Sequence, residues 1–193
     1  MNKLYLTLVI IFLNFSQITS ASTVIHIGLL IDGENSVPSP EMSIVIEGSK
    51  ILSVEAGFIT PESDDEYIDL SGYTVLPGLM DMHVHLSSEY SKKSYQEKIT
   101  LNASDYAIRA VANAEKTLLA GFTTVRNLGD SDGVTISLRN SIKKGIVFGP
   151  RIFSSGTTIA SSGGHGDSTN SLNKSLTSDP GPDRGIVNNL DDA

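Results

Sequence analysis

The sequence has no cysteine, so it can be neither a disulfide-stapled scaffold nor a lipoprotein anchored through a modified cysteine. It also has no tryptophan, and aromatic residues make up only 6% of it. Base-stacking surfaces for single-stranded nucleic acid are therefore poorly supplied. Basic residues are scarce: 14 Lys and Arg stand against 22 Asp and Glu, giving a formal net charge of −8. A phosphate-backbone partner needs clustered cations, so no nucleic acid is expected, and the acidic balance reads as solubility. No apolar run reaches the length of a membrane-spanning helix, so no permanent membrane anchor is expected.

What is there begins with a leader. Lys3 provides a positive start, Leu4 to Leu13 form a short apolar core, and Thr19-Ser20-Ala21 offer small residues for cleavage. Residues 1–21 are expected to be a secretory signal peptide. Residues 22–75 then read as short β-segments. Ser22 to Leu30 is apolar-rich, and Met42 to Ile46 and Ile51 to Val54 flank the polar turn Glu47-Gly48-Ser49-Lys50, a hairpin pattern. Asp32-Gly33 marks a turn, Pro38, Pro40 and Pro61 are expected in loops, and Asp64-Asp65-Glu66 reads as a solvated acidic loop.

From Tyr73 the texture alternates between strand and helix. Thr74 to Leu86 is an extended apolar run broken by Pro77-Gly78. Ala107, Ala110, Val111, Ala114 and Leu118 fall at helical spacing within Ala103 to Leu119, which Gly121 ends. Phe122 to Leu128 is a strand, Asp132 caps a helix running to Lys144, Arg151 to Ile159 is a third strand, and a further helix begins near Asp183. That order implies right-handed βαβ units on a parallel sheet. Three strands cannot close a barrel and the third unit lacks its helix, so residues 76–193 are expected to be the first three β/α units of a longer enzyme.

The chemistry centres on Asp81-Met82-His83-Val84-His85. On a strand alternate side chains share a face, so Asp81, His83 and His85 are expected to point the same way. Two imidazoles one residue apart can then reach a single divalent ion. Three ionisable side chains on one face of an apolar strand have no evident packing purpose. His165 lies after the third strand among Gly163, Gly164 and Gly166 and is a candidate substrate contact, the alternative being a surface-loop histidine. Arg126 is a candidate for a structural ion pair with Asp81 or for binding a substrate carboxylate. His26, in an early β-segment, reads as structural.

The run Val75-Leu76-Pro77-Gly78-Leu79-Met80-Asp81-Met82-His83-Val84-His85 resembles the first barrel strand of the amidohydrolase superfamily. Gly121-Phe122-Thr123-Thr124-Val125-Arg126-Asn127-Leu128-Gly129 is similar to its second strand, where the family more often has Asp in place of Asn127. Gly149-Pro150-Arg151 and Gly163-Gly164-His165-Gly166-Asp167 resemble the third unit of the imidazolonepropionase-like and Xaa-Pro dipeptidase-like branch. The resemblance implies an α/β fold, the N-terminal part of a (β/α)8 TIM barrel preceded by strands of a small β-sandwich, with its active site at the carboxyl ends of the strands. It implies that His83 and His85 are metal ligands, most often of zinc, with one or two divalent ions in the complete enzyme. The family's other ligands and its general base come from later strands, so no catalytic residue is assigned within these 193 residues. The implied activity is hydrolysis of carbon–nitrogen bonds in amide, cyclic amide or dipeptide-like substrates by metal-activated water, in the bacterial periplasm. A one-metal deaminase of a cyclic substrate stays open, as does an inactive truncated or non-catalytic barrel relative. The partner expected is a small-molecule or dipeptide-like substrate, and homo-oligomerisation is left open.

Overall fold

The computed structural model describes residues 21–170 and 172–192. The leader expected over residues 1–21 lies, apart from Ala21, outside the described residues. The chain forms two compact units that part between Pro77 and Gly78.

The first unit is a four-stranded sheet in the order β3-β2-β1-β4. Strands β1 (Thr23–Leu30), β2 (Ser39–Glu47) and β3 (Lys50–Ala56) run antiparallel in succession, and β4 (Glu66–Val75) lies parallel to β1. The expected hairpin forms between β2 and β3, with Gly48 at φ 59° in the turn. Pro40 lies inside β2, paired with Leu29, and not in a loop. Ile27, Leu30 and Ile44 make the buried centre, with Ile25, Met42, Ile46 and Val75 packed around it. A register shift between Ile27 and Leu29 brings β4 over Gly28, where a Cβ would sit 2.1 Å from the Ser71 carbonyl oxygen. Only glycine tolerates that approach. Of the acidic loop, Asp65 accepts the backbone N–H groups of Ser22 and Glu62 at 3.0 and 2.9 Å, and so ties the start of β1 to the turn before β4.

The second unit has the βαβαβ order that opens a (β/α)8 barrel. Parallel strands β5 (Leu79–Val84), β6 (Phe122–Asn127) and β7 (Arg151–Ser154) form one sheet in that order. Helix α1 (Ser94–Thr100) and the longer α2 (Ala103–Leu119) connect β5 to β6, and α3 (Val134–Lys143) connects β6 to β7. α2 starts where the Asp105 carboxylate accepts the Asn102 N–H at 2.8 Å, and it stops before Gly121, whose φ of +95° no side chain favours. Its fully buried Ala110 and Ala114 lie one turn apart and pack with Leu86, Val125, Val134, Leu138 and Ile152. Two alanines a turn apart let a helix approach a sheet closely. Among the described residues no helix is long and apolar enough to cross a membrane.

Three expectations change here. Asp132 does not cap α3: it sits at φ 61°, the N-cap position falls to Gly133, and the Asp130 carboxylate reaches in from outside the helix to accept the Thr135 N–H at 2.6 Å. The third strand ends at Ser154 and not at Ile159, because Gly156 turns at φ +76° and the chain continues through single bridges, Asp130 with Thr157 and Ala160 with Ile186. Near Asp183 there is one 3₁₀ turn, Pro182–Arg184, in place of a longer helix.

Candidate metal centre

His83 is the penultimate residue of β5, and His85 is the first residue beyond it. Val84 between them pairs in register with Asn127 and packs into the helix-covered core. Alternation about Val84 therefore sends both imidazoles to the opposite face. Their ring centroids are 5.5 Å apart with an interplanar angle of 66°, and both residues are exposed. His85 Nδ1 lies 3.2 Å from the Gly129 carbonyl oxygen. A carbonyl can only accept, so Nδ1 carries the proton and Nε2 keeps its lone pair. Metal-binding histidines are oriented in this way, by donating the second ring nitrogen to a carbonyl or carboxylate.

Asp81 does not complete a three-residue ligand group with them among the described residues. Between Asp81, which pairs with Val125, and Val84, which pairs with Asn127, β5 spends one residue more than β6. This bulge breaks the alternation on which the common face depended. The Asp81 carboxylate accepts the His83 backbone N–H at 2.9 Å, and Asp81 lines a hollow together with Val84, His85, Asn113 and Phe122. Arg126 consequently forms no ion pair with Asp81 among the described residues. Its Nε donates instead to the Met82 carbonyl at 2.7 Å, which sets the guanidinium on the strand next to His83.

His165 is exposed at the tip of its glycine-rich loop and makes no hydrogen bond to another described residue. Asp167, two residues on, is buried. It accepts the Gly163 N–H at 2.9 Å, the Thr169 N–H at 2.8 Å and the Thr169 hydroxyl at 2.6 Å. These bonds, the Thr169 hydroxyl foremost, hold its carboxyl below the usual carboxylate range. The loop that carries His165 is thus pinned at its base by a charged group.

The residues present fit the first two ligands of one divalent ion. Two neutral imidazoles suit zinc, and the Gly129 bond leaves a nitrogen of His85 available. Among the described residues no group of three or more His, Cys, Asp or Glu could hold a metal ion. Residues 74–191 match the model of the amidohydrolase family. The chain belongs to the amidohydrolase family. The amidohydrolase chain is similar to a Xaa-Pro dipeptidase whose crystal structure holds methionine in the active site: the two are 46% identical with a TM-score of 0.83, over 89% of this chain and 42% of that one. A prolidase solved with N-methylphosphonate-L-proline is 34% identical with a TM-score of 0.66, over 76% of this chain and 35% of its own. Ochratoxinase from Aspergillus niger is 28% identical over 153 residues, which are 75% of this chain and 30% of that enzyme. The amidohydrolase chain therefore spans less than half the length of these relatives.

One residue at the end of β6 shows in the sequence only as a departure from the family pattern, which gives it no role. Asn127 is completely buried and bonds both to the residue after His85 and to the carbonyl that His85 uses. Its signal in the sequence was faint: a polar amide closing an apolar strand.

Proposed function

We propose that this chain supplies the metal-anchoring strand of a divalent-metal hydrolase acting on carbon–nitrogen bonds of small amide or dipeptide-like substrates. The observation that carries the reading is the His83–His85 pair, with His85 held through Nδ1 on Gly129 and its Nε2 lone pair left over. Zinc is the proposed ion, held first by these two side chains. A bound divalent ion supplies Lewis-acid polarisation of a carbonyl and acidifies water to near neutrality. The chain's own residues orient and bind. Val84 and its partner Asn127 lock the strand so that both imidazoles share a face. Arg126, fixed to Met82 by Nε, has its remaining guanidinium N–H groups for a substrate carboxylate. His165 is proposed to contact substrate from its pinned loop.

The similarity to a Xaa-Pro dipeptidase and a prolidase supports dipeptide-like substrates. Export through a leader at residues 1–21 is proposed from the sequence pattern, and a periplasmic destination from the family resemblance. The test is zinc content and turnover of an Xaa-Pro dipeptide in the polypeptide encoded by the full reading frame. Changing His83 and His85 together to Ala should remove one zinc per chain and abolish turnover. Unaltered zinc stoichiometry and rate would reject the assignment.

A further inference from the structure

Beyond β5, the carboxyl ends of all three parallel strands are joined by one set of polar side chains, with Asn127 and Thr135 buried and Asp130 and Ser154 half-buried. Asn127 Oδ1 accepts the Leu86 N–H at 2.8 Å. Its Nδ2 donates to the Gly129 carbonyl at 3.2 Å and to Thr135 Oγ1 at 3.3 Å. Thr135, also fully buried, donates its hydroxyl proton to Asp130 Oδ2, so Ser154 Oγ, 2.8 Å away, must donate to Thr135. Ser154 in turn accepts the Gly156 N–H at 3.2 Å. A hydroxyl has one proton and two lone pairs, and Thr135 uses all three. Every direction in the set is therefore fixed.

Gly129 is where this set meets the metal centre. Its carbonyl takes two donors, Asn127 Nδ2 and His85 Nδ1, each at 3.2 Å. Gly129 is buried at φ +136°, and a Cβ there would lie 1.8 Å from Thr158 Oγ1, so its backbone cannot be rebuilt with another residue. On the other side, Asn127 grips the amide immediately after His85. The same side chain thus holds the backbone that follows the ligand and the carbonyl that orients the ligand's ring. Aspartate, the residue more usual at this position by resemblance, would set a second acceptor against the Gly129 oxygen, whereas the amide donates to it and holds it beside His85.

We infer that Asn127 is a positioning residue for His85, acting through Gly129 and the Leu86 amide to fix the ring's Nδ1–H tautomer and orientation. This rests on the reading of His83 and His85 as metal ligands. Outer groups of this kind change metal affinity by about 10- to 100-fold when altered.

The experiment uses the polypeptide of the full reading frame, with zinc as the probe in chelator competition, and ¹⁵N chemical shifts of the metal-free histidines at a pH where the rings are neutral. N127D keeps the side-chain volume and the Leu86 bond but sets a carboxyl in place of the donating amide, and N127L removes the amide without adding a charge, so the two together carry the test even where N127A fails to fold. In each, the zinc Kd should rise about 10- to 100-fold, His85 should lose the Nδ1–H preference, and excess zinc should restore turnover. An unchanged zinc Kd and tautomer in either variant, even with a lowered Tm, would overturn the inference. H85A separates this from the underlying reading: if H85A binds zinc as tightly as the parent, it is the ligand assignment that fails.

Discussion

The surroundings of His26 and of His85 show two opposite uses of the same side chain. His26, half-buried in β1, has both ring nitrogens engaged: Nε2 donates to the Ile59 carbonyl at 2.8 Å, and Nδ1 accepts the Tyr67 hydroxyl at 3.0 Å. Its ring stacks on Phe58 at 4.6 Å and meets Tyr67 edge-on at 4.8 Å. His85 carries its proton on the other nitrogen, uses it on Gly129, and lies 5.5 Å from a second imidazole with no aromatic cover. The first ring is saturated and structural. The second is oriented but incomplete, the arrangement a ligand needs. What separates them is the accounting of ring nitrogens, which neither burial nor sequence context supplies alone.

The largest effect expected follows directly from that contrast. Replacing His26 with Ala should leave zinc stoichiometry untouched, whereas H83A/H85A should lose one zinc per chain. Zinc loss in H26A would erase the distinction between the two regions. The next effect concerns His165. H165A should retain its zinc and lower kcat/KM for a dipeptide substrate by about tenfold to a hundredfold, the size of one hydrogen bond to a charged group. Normal kinetics would return His165 to the status of a surface-loop residue.

The saturated ring should register in stability instead. His26→Leu removes two hydrogen bonds and leaves the half-buried Ile59 carbonyl without its partner, while the exposed Tyr67 hydroxyl can turn to water, which should cost about 1 kcal/mol. Denaturant titration measures this, and a midpoint equal to the parent's would show that the ring contributes nothing beyond its volume.

Much of this was legible from local pattern. The His-x-His spacing marked a strand end with two imidazoles close together, the Glu47–Lys50 turn marked a hairpin, and the alanines of α2 marked a buried helix face, because each depends on residues close in sequence. The rest depends on contacts between distant residues. That β4 pairs with β1 across more than 40 positions is invisible to periodicity. The bulge between Asp81 and Val84 arises from the register against β6, which strict alternation does not foresee. Asn127 and Thr135 gain meaning only when three strand ends and a helix converge on them. Asp130, and not Asp132, accepts a first-turn amide of α3 for the same reason: both are aspartates near the helix start, and Asp132 sits at φ 61° just before the Gly133 N-cap.

The smallest effect tests whether the His165 loop is oriented as His85 is, through a neighbour. Asp167 is bound to the Thr169 hydroxyl and to two backbone amides, and these bonds depress its pKa relative to the unfolded chain. A carboxylate with a depressed folded pKa adds stability that is fully present above its unfolded pKa. That contribution is lost as the pH falls through the folded one. Protection of the Gly163 and Thr169 amides from hydrogen exchange, corrected for intrinsic rates, should therefore hold at neutral pH and decline on acidification below the ordinary carboxylate range. In D167N the group no longer titrates, and protection should be lower and independent of pH across that window. A pH-dependent loss that persists in D167N would assign the anchoring to some other acid. The loop's charge would then be incidental to the placement of His165, and the parallel with Gly129 and His85 would not hold.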